Sequence, residues 1–253
     1  MPDEKLFNVN KAKIYNAYRP PYPKEFIALL CDKLSVTNKS IIADVGSGTG
    51  MLTERFLETG ASVYGVEPND EMRAVAEENL ANFNNFTSVK GFDKDTTLPQ
   101  NSVDFVVAGL AFHFFDRLAF AKECKRILHP DGKVCLIWNN RSYDSEIYKK
   151  SSAICRKYCP TYKGMFGDIT YNTPEIFEDI FGKNCEYCEF KYDYPMNKDY
   201  FVNMFLTFSY TPNEGDENYN AFVGELENLF DEYENNDQIL FPFTTFAYCG
   251  SLM

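Results

Sequence analysis

The chain has 253 residues, 45% hydrophobic and 16% aromatic, with a formal net charge of −12. That length suits one large α/β domain, or a domain plus a lid, and the composition excludes a disordered chain. The acidic balance repels a phosphate backbone, and no Lys/Arg cluster offsets it, so nucleic acid is excluded as a partner.

In chain order, Ile41–Val45 is a β-branched run that predicts a first strand, followed by glycines and a helix at Met51–Leu57. Ser62–Val66 predicts a second strand, ending in Glu67-Pro68. Asn69 or Asp70 can cap the next helix, whose Met72, Val75, Ala76 and Leu80 recur at three-to-four spacing. Residues 87–92 and 103–108 read as third and fourth strands. A helix follows over 116–128, then a turn at Pro130-Asp131-Gly132 and a fifth strand over 133–138. Strands alternating with helices predict βαβ units and a parallel sheet. The second half predicts helices over 145–158, 174–181, 199–208 and 219–234, with strands over 185–194 and 240–249.

Eight cysteines raise disulfide and metal readings. Cys185 and Cys188 form a C-x-x-C, but three residues apart on a strand they point to opposite faces, which is poor for chelation. The histidines are His113 and His129 alone. Reduced packing cysteines and no metal are expected. Met1-Pro2-Asp3-Glu4-Lys5 carries no apolar leader, and no apolar run approaches the roughly 20 residues that span a bilayer. The expectation is a cytoplasmic monomer or homodimer without a membrane partner.

The turn Asp44-Val45-Gly46-Ser47-Gly48-Thr49-Gly50 carries the clearest chemistry. Glycine is needed where φ is positive or where a ligand meets the backbone. In an open α/β sheet, the crevice at the carboxyl end of the first strand takes nucleotide-like ligands. Glu67, at the end of the second strand, can accept both ribose hydroxyls. Dinucleotide enzymes use G-x-G-x-x-G, whereas Gly46, Gly48 and Gly50 are one residue tighter. The leading Asp44 is a poor neighbour for pyrophosphate and a good one for a cation. Spacing and charge therefore favour S-adenosylmethionine (SAM), with its sulfonium and ammonium, over NAD.

This turn resembles motif I of the class I SAM-dependent methyltransferases. Glu67-Pro68-Asn69-Asp70-Glu71-Met72 resembles their post-I segment. Phe92-Asp93 through Asp104 resembles their adenine loop leading into strand four, and Leu128 to Lys133 their turn before strand five. Tyr15 to Pro23 and Ala108 to Asp116 are similar to the small-molecule branch that includes trans-aconitate methyltransferase-like proteins. That branch carries a Trp where this chain has Phe114. The resemblance implies a Rossmann-like, doubly wound, mostly parallel seven-stranded α/β sheet with an antiparallel last strand and a helical cap. It implies a SAM-binding core with N-terminal lid over 1–140, a helical cap with a late strand over 141–238 and a final core strand over 239–253.

The same resemblance implies that Gly46, Gly48 and Gly50 approach the methionine part of SAM and Glu67 its ribose, with Asp44 and Ser47 also in the cofactor site. Asp93 and the backbone around Phe92 then lie near adenine, with Met72 or Pro68 against the ring and Ala108 also in the cofactor site. Tyr15, Tyr18 and Arg19 would lie on the lid. Methyl transfer from a sulfonium needs alignment and exclusion of water. His113, just past strand four, is the candidate base or substrate contact; Arg141 or Arg19 can clamp a carboxylate. No Asn/Asp-Pro-Pro-Tyr follows strand four, which again argues against a nucleic-acid substrate. The expected function is methyl transfer to a small molecule at oxygen, with a carboxylate as one candidate acceptor. The alternatives are an NAD(P)-dependent oxidoreductase and a non-catalytic SAM-binding protein.

Overall fold

A computed structural model describes residues 9–164, 177–183 and 185–253. Two helices open the chain, α1 (Val9–Tyr18) and α2 (Lys24–Leu34). The expected elements do not include α2. It buries Phe26, Ile27, Leu30, Cys31 and Leu34, a stripe at helical spacing that the neighbouring Pro20, Pro21 and Pro23 obscure.

The α/β units follow: β1 (Ile41–Val45), α3 (Met51–Leu57), β2 (Ser62–Val66), α4 (Asp70–Asn79), β3 (Phe86–Val89), β4 (Val103–Gly109), α5 (Arg117–Ile127) and β5 (Leu128–Arg141). Phe92, expected in β3, lies beyond it and bridges Asp95 instead. The remainder is α6 (Glu146–Tyr158), α7 (Glu178–Phe181), β6 (Glu186–Met196), α8 (Lys198–Leu206), α9 (Tyr219–Tyr233) and β7 (Ile239–Gly250). Residues 174–176, the expected start of the helix at α7, lie outside the described residues.

The seven strands form one sheet in the order β3-β2-β1-β4-β5-β7-β6. β1 to β5 pair in parallel, and β7 runs antiparallel to both β5 and β6. The fold is therefore the expected α/β, mostly parallel, Rossmann-like sheet with its last strand reversed. The turn expected at 130–132 is instead a bulge inside β5. Val103 faces Leu128 and Phe105 faces Lys133, so residues 129–132 arch outward opposite Asp104.

Each face of the sheet has its own core. One packs Phe120, Cys124 and Ile127 of α5, and Ile180 and Phe181 of α7, onto Val106, Leu136 and Trp138. The other packs Phe26 and Leu30 of α2, and Leu52 and Phe56 of α3, onto Ile42, Val107 and Ile137. Cys185 packs against the first core and Cys188 against the second, as the alternation of a strand requires. A third core joins α6, α8 and α9 to Phe241 and Phe243 of β7, capping the sheet where β5 ends at Arg141.

The expectation of reduced cysteines fails for one pair. Cys135 on β5 and Cys249 on β7 are register partners with Cα atoms 4.3 Å apart, joined by a disulfide. Directly opposed residues of an antiparallel pair come that close, and a separation of 114 residues hides the pairing in sequence. The other six cysteines are free. No helix among the described residues is long and apolar enough to cross a membrane.

Candidate active site

The site begins where β1 hands over to α3. Gly46, Gly48 and Gly50 adopt φ of 74°, 58° and 85°, a left-handed region closed to most side chains. At Gly46 sterics add to the backbone requirement: a Cβ would lie 2.7 Å from that of Ala111. Gly50 caps α3, and its missing side chain admits Leu80, whose Cδ1 would be 2.7 Å from a Cβ.

Two acidic groups flank the turn. Asp44 is buried; its Oδ2 accepts the Thr53 hydroxyl at 2.6 Å, while its Oδ1 has no partner. Burial raises its pKa to about 7, helped by the nearby Glu67. Glu67 accepts the backbone N–H of Gly48 through Oε2 and that of Asn69 through Oε1, both at 2.9 Å. Burial raises its pKa, against the pull of those two N–H groups. Asn69 in turn caps α4 by accepting the N–H of Met72 at 2.8 Å.

Above the carboxyl ends of β1, β4 and β5 lies a cavity of about 830 Å³. Asp44, Gly46, Ser47, Gly48, Glu67, Pro68, Met72 and Phe92 form one of its walls. Tyr15, Arg19, His113 and Arg141 also line it. Four expected residues do not. Gly50 packs on Leu80, and Ala108 is enclosed in the sheet core. Asp93 accepts the Asp116 N–H at 3.2 Å, and Tyr18 points away to donate to Asp199 on α8 at 3.0 Å.

The second wall comes from the α1–α2 link, the end of β5 and the segment after α8. Its centre is a pair of arginines. Arg141, 4% exposed, lies 4.6 Å from the Phe208 ring centroid and 4.9 Å from that of Phe205, and donates to the Tyr210 hydroxyl at 3.2 Å. Arg19 lies 4.1 Å from the Phe208 centroid and 4.7 Å from that of Tyr15. Arg141 Nη1 and Arg19 Nε are buried without a hydrogen-bond partner, and so is Nδ2 of the neighbouring Asn140. The arginines that pair with carboxylates among the described residues are Arg55, Arg73, Arg117 and Arg126; Arg19 and Arg141 are not among them. Burial pulls the Arg19 pKa below its usual value, with the charge of Arg141 adding to the effect.

Asn139, just before this pair, is a latch. It donates to the carbonyls of Pro20 (3.1 Å) and Pro21 (3.3 Å) and accepts from Tyr192 (3.0 Å) and Thr245 (2.8 Å). The α1–α2 link is thereby tied to the end of β5. His113 faces the cavity from a short 3₁₀ turn, Phe112–Phe114, with its ring centroid 3.9 Å from that of Phe114. Protein crowded around it displaces water, and this desolvation lowers its pKa to about 4.

The expected elements missed Tyr22, Trp138, Thr207 and Met204 as lining residues. Tyr22 sits alone in Pro-Pro-Tyr-Pro with no periodicity to mark it. Phe208 and Tyr210 belong to an aromatic stretch whose composition does not separate cavity wall from core.

The two walls have opposite demands. The glycine turn presents unpartnered acceptors, Asp44 Oδ1 and Thr49 Oγ1, where a cation fits. The arginine wall presents unpartnered donors, where an anion fits. A cationic ligand suits the first wall, and a dinucleotide pyrophosphate beside Asp44 does not.

Residues 43–136 match a family model described as a methyltransferase domain. The chain is 28% identical over 254 residues to an uncharacterized methyltransferase-like protein of Schizosaccharomyces pombe, covering 97% of this chain and 95% of that one. It is 33% identical over 159 residues to an uncharacterized methyltransferase of Bacillus cytotoxicus, covering 59% of this chain and 71% of the relative. A solved structure described as a type II methyltransferase from Anaeromyxobacter dehalogenans superposes with a TM-score of 0.66 at 20% identity. That match covers 92% of this chain and 98% of the other, and is a likeness of fold.

Proposed function

Because the chain belongs to the class I SAM-dependent methyltransferases, we propose that it methylates a small carboxylic acid at oxygen. The supporting observation is the pair Arg19 and Arg141: two cations enclosed by aromatic rings, lacking a carboxylate partner and lining the same cavity as the glycine turn. A buried cation without a counter-ion is costly unless a ligand supplies the charge.

In this reading Asp44 and Glu67 hold the cationic, ribose-bearing donor, with the Gly46-Ser47-Gly48 backbone against its methionine part. Met72, Pro68 and Phe92 flank the adenine. When bound, SAM supplies an activated methyl: the oxygen–carbon bond to the acceptor forms as the sulfur–carbon bond breaks, and its electron pair returns to sulfur. Arg19 and Arg141 orient the acceptor carboxylate through their planar forks. The rings of Tyr15, Phe208 and Tyr210 keep water away from it.

A carboxylate is ionised at pH 7 and gives up no proton on methylation, so no base is required. This agrees with His113, whose imidazole, at a pKa of about 4, is neutral and weakly basic. His113 then serves as an orienting contact. An acceptor screen that reads S-adenosylhomocysteine release across carboxylic acids, phenols and amines tests the proposal. Release with carboxylic acids is expected; release with amines alone overturns the carboxylate assignment.

A further inference from the structure

We propose that the Tyr22 phenol is the side-chain contact at the junction of methyl donor and acceptor, a role that rests on the function proposed above. The observation comes from the end of β4. Gly109 closes that strand at the cavity, and an added Cβ there would lie 2.6 Å from Tyr22 Oη and 2.8 Å from Leu52 Cδ2. The missing side chain thus leaves room for a phenol oxygen set against the strand end. Gly109 has no left-handed φ to explain it, so close approach is the remaining reason for a glycine there.

Tyr22 is 6% exposed, and its side chain lines the cavity. Its hydroxyl has no hydrogen-bond partner among the described residues. Burial, followed by the fields of Tyr15 and Asp44, raises its pKa well above the usual value, and Arg19 opposes them. The phenol is therefore neutral and feels both walls, Asp44 from the glycine turn and Arg19 from the arginine pair. Its backbone is held directly after the Asn139 latch on Pro20 and Pro21.

A neutral phenol has one proton to donate and lone pairs to offer. Its lone pairs suit the polarised C–H groups of a sulfonium methyl, a weak hydrogen bond that a thioether without that methyl cannot make. Its proton suits the carboxylate oxygen that does not attack the methyl. A single hydroxyl can so register donor against acceptor, which a packing tyrosine would not do.

Tyr22→Phe removes the oxygen and keeps the ring. Calorimetric titrations of wild type and variant with SAM and with S-adenosylhomocysteine read the contact without an acceptor. The variant is expected to lose roughly two- to fivefold in SAM affinity, to bind S-adenosylhomocysteine as wild type does and to melt at the same temperature. With the acid identified by the screen, kcat should fall while the KM for that acid changes less. Equal losses for both ligands, or no loss for either, would assign Tyr22 to packing and overturn the proposal. Binding of neither ligand by the wild type removes the donor reading itself, and this contact with it.

Discussion

Glu67 accepts the backbone N–H of Gly48 at 2.9 Å, joining the end of β2 to the middle of the glycine turn. One carboxylate thereby fixes the glycine turn, and in the proposed reading it keeps lone pairs free for ribose hydroxyls. Glu67→Ala removes both. Charge-assisted hydrogen bonds contribute about 1.5–3 kcal/mol, so SAM affinity should fall by roughly ten- to a hundredfold in a calorimetric titration. Unchanged affinity would place the ribose elsewhere.

Arg141 gives a prediction in which stability and activity part company. It is buried beside Phe205, Phe208 and Tyr148 without a counter-ion. Arg141→Met fills similar volume and removes an uncompensated charge, so the ligand-free melting temperature should hold or rise. The KM for the acid acceptor should rise at least tenfold, given about 1.5–3 kcal/mol for a hydrogen bond to a charged group. A variant that melts lower and keeps its KM would make Arg141 structural.

Asp44 sets a pH dependence. Its carboxyl is raised to about 7 in the folded, ligand-free protein, against about 3.9 in an unfolded chain. The folded state alone binds the proton between those values. The stability this contributes is complete below about pH 4 and is lost as pH rises through about 7. Cation binding has the opposite sign, because it needs the ionised carboxylate. SAM should bind more tightly at pH 7.5 than at pH 5.5, and Asp44→Asn should flatten both trends. Affinity that does not vary over that range in the wild type would remove Asp44 from the donor site.

Gly46 and Gly48 should differ under the same substitution. Both have positive φ, so alanine strains either by about 1 kcal/mol. At Gly48 the nearest atom to an added Cβ is Met72 Cε at 3.8 Å, an ordinary van der Waals contact. At Gly46 it is Ala111 Cβ at 2.7 Å, with Phe115 Cζ at 3.2 Å. Thermal melts should therefore rank Gly46→Ala well below Gly48→Ala. Equal melting temperatures would mean that Ala111 can retreat.

The legible parts of the fold are those with local signatures. The run at Ile41–Val45 and the cap at Asn69 appear where periodicity and capping chemistry put them. Long-range geometry was not legible. The bulge at 129–132 depends on β4 pairing, and Pro-Asp-Gly alone reads as a turn. The Cys135–Cys249 bridge depends on β5 and β7 being neighbours. In the site, Asp44, Gly48 and Glu67 are marked by their spacing, whereas Tyr22 gains its position from Gly109 in a different element. That Arg19 and Arg141 lack a carboxylate partner, each with one buried nitrogen unpaired, is likewise a property of what the fold encloses, not of the residues beside them in the chain.

The two cavity walls also differ in how the chain supplies them. The glycine-turn wall is drawn chiefly from residues 44–72, whereas Arg19, Arg141 and Phe208 come from three distant segments. In the proposed reading, substitutions at the α1–α2 link or after α8 retune acceptor choice without disturbing the donor wall. A protein built this way can change its clientele while keeping its currency.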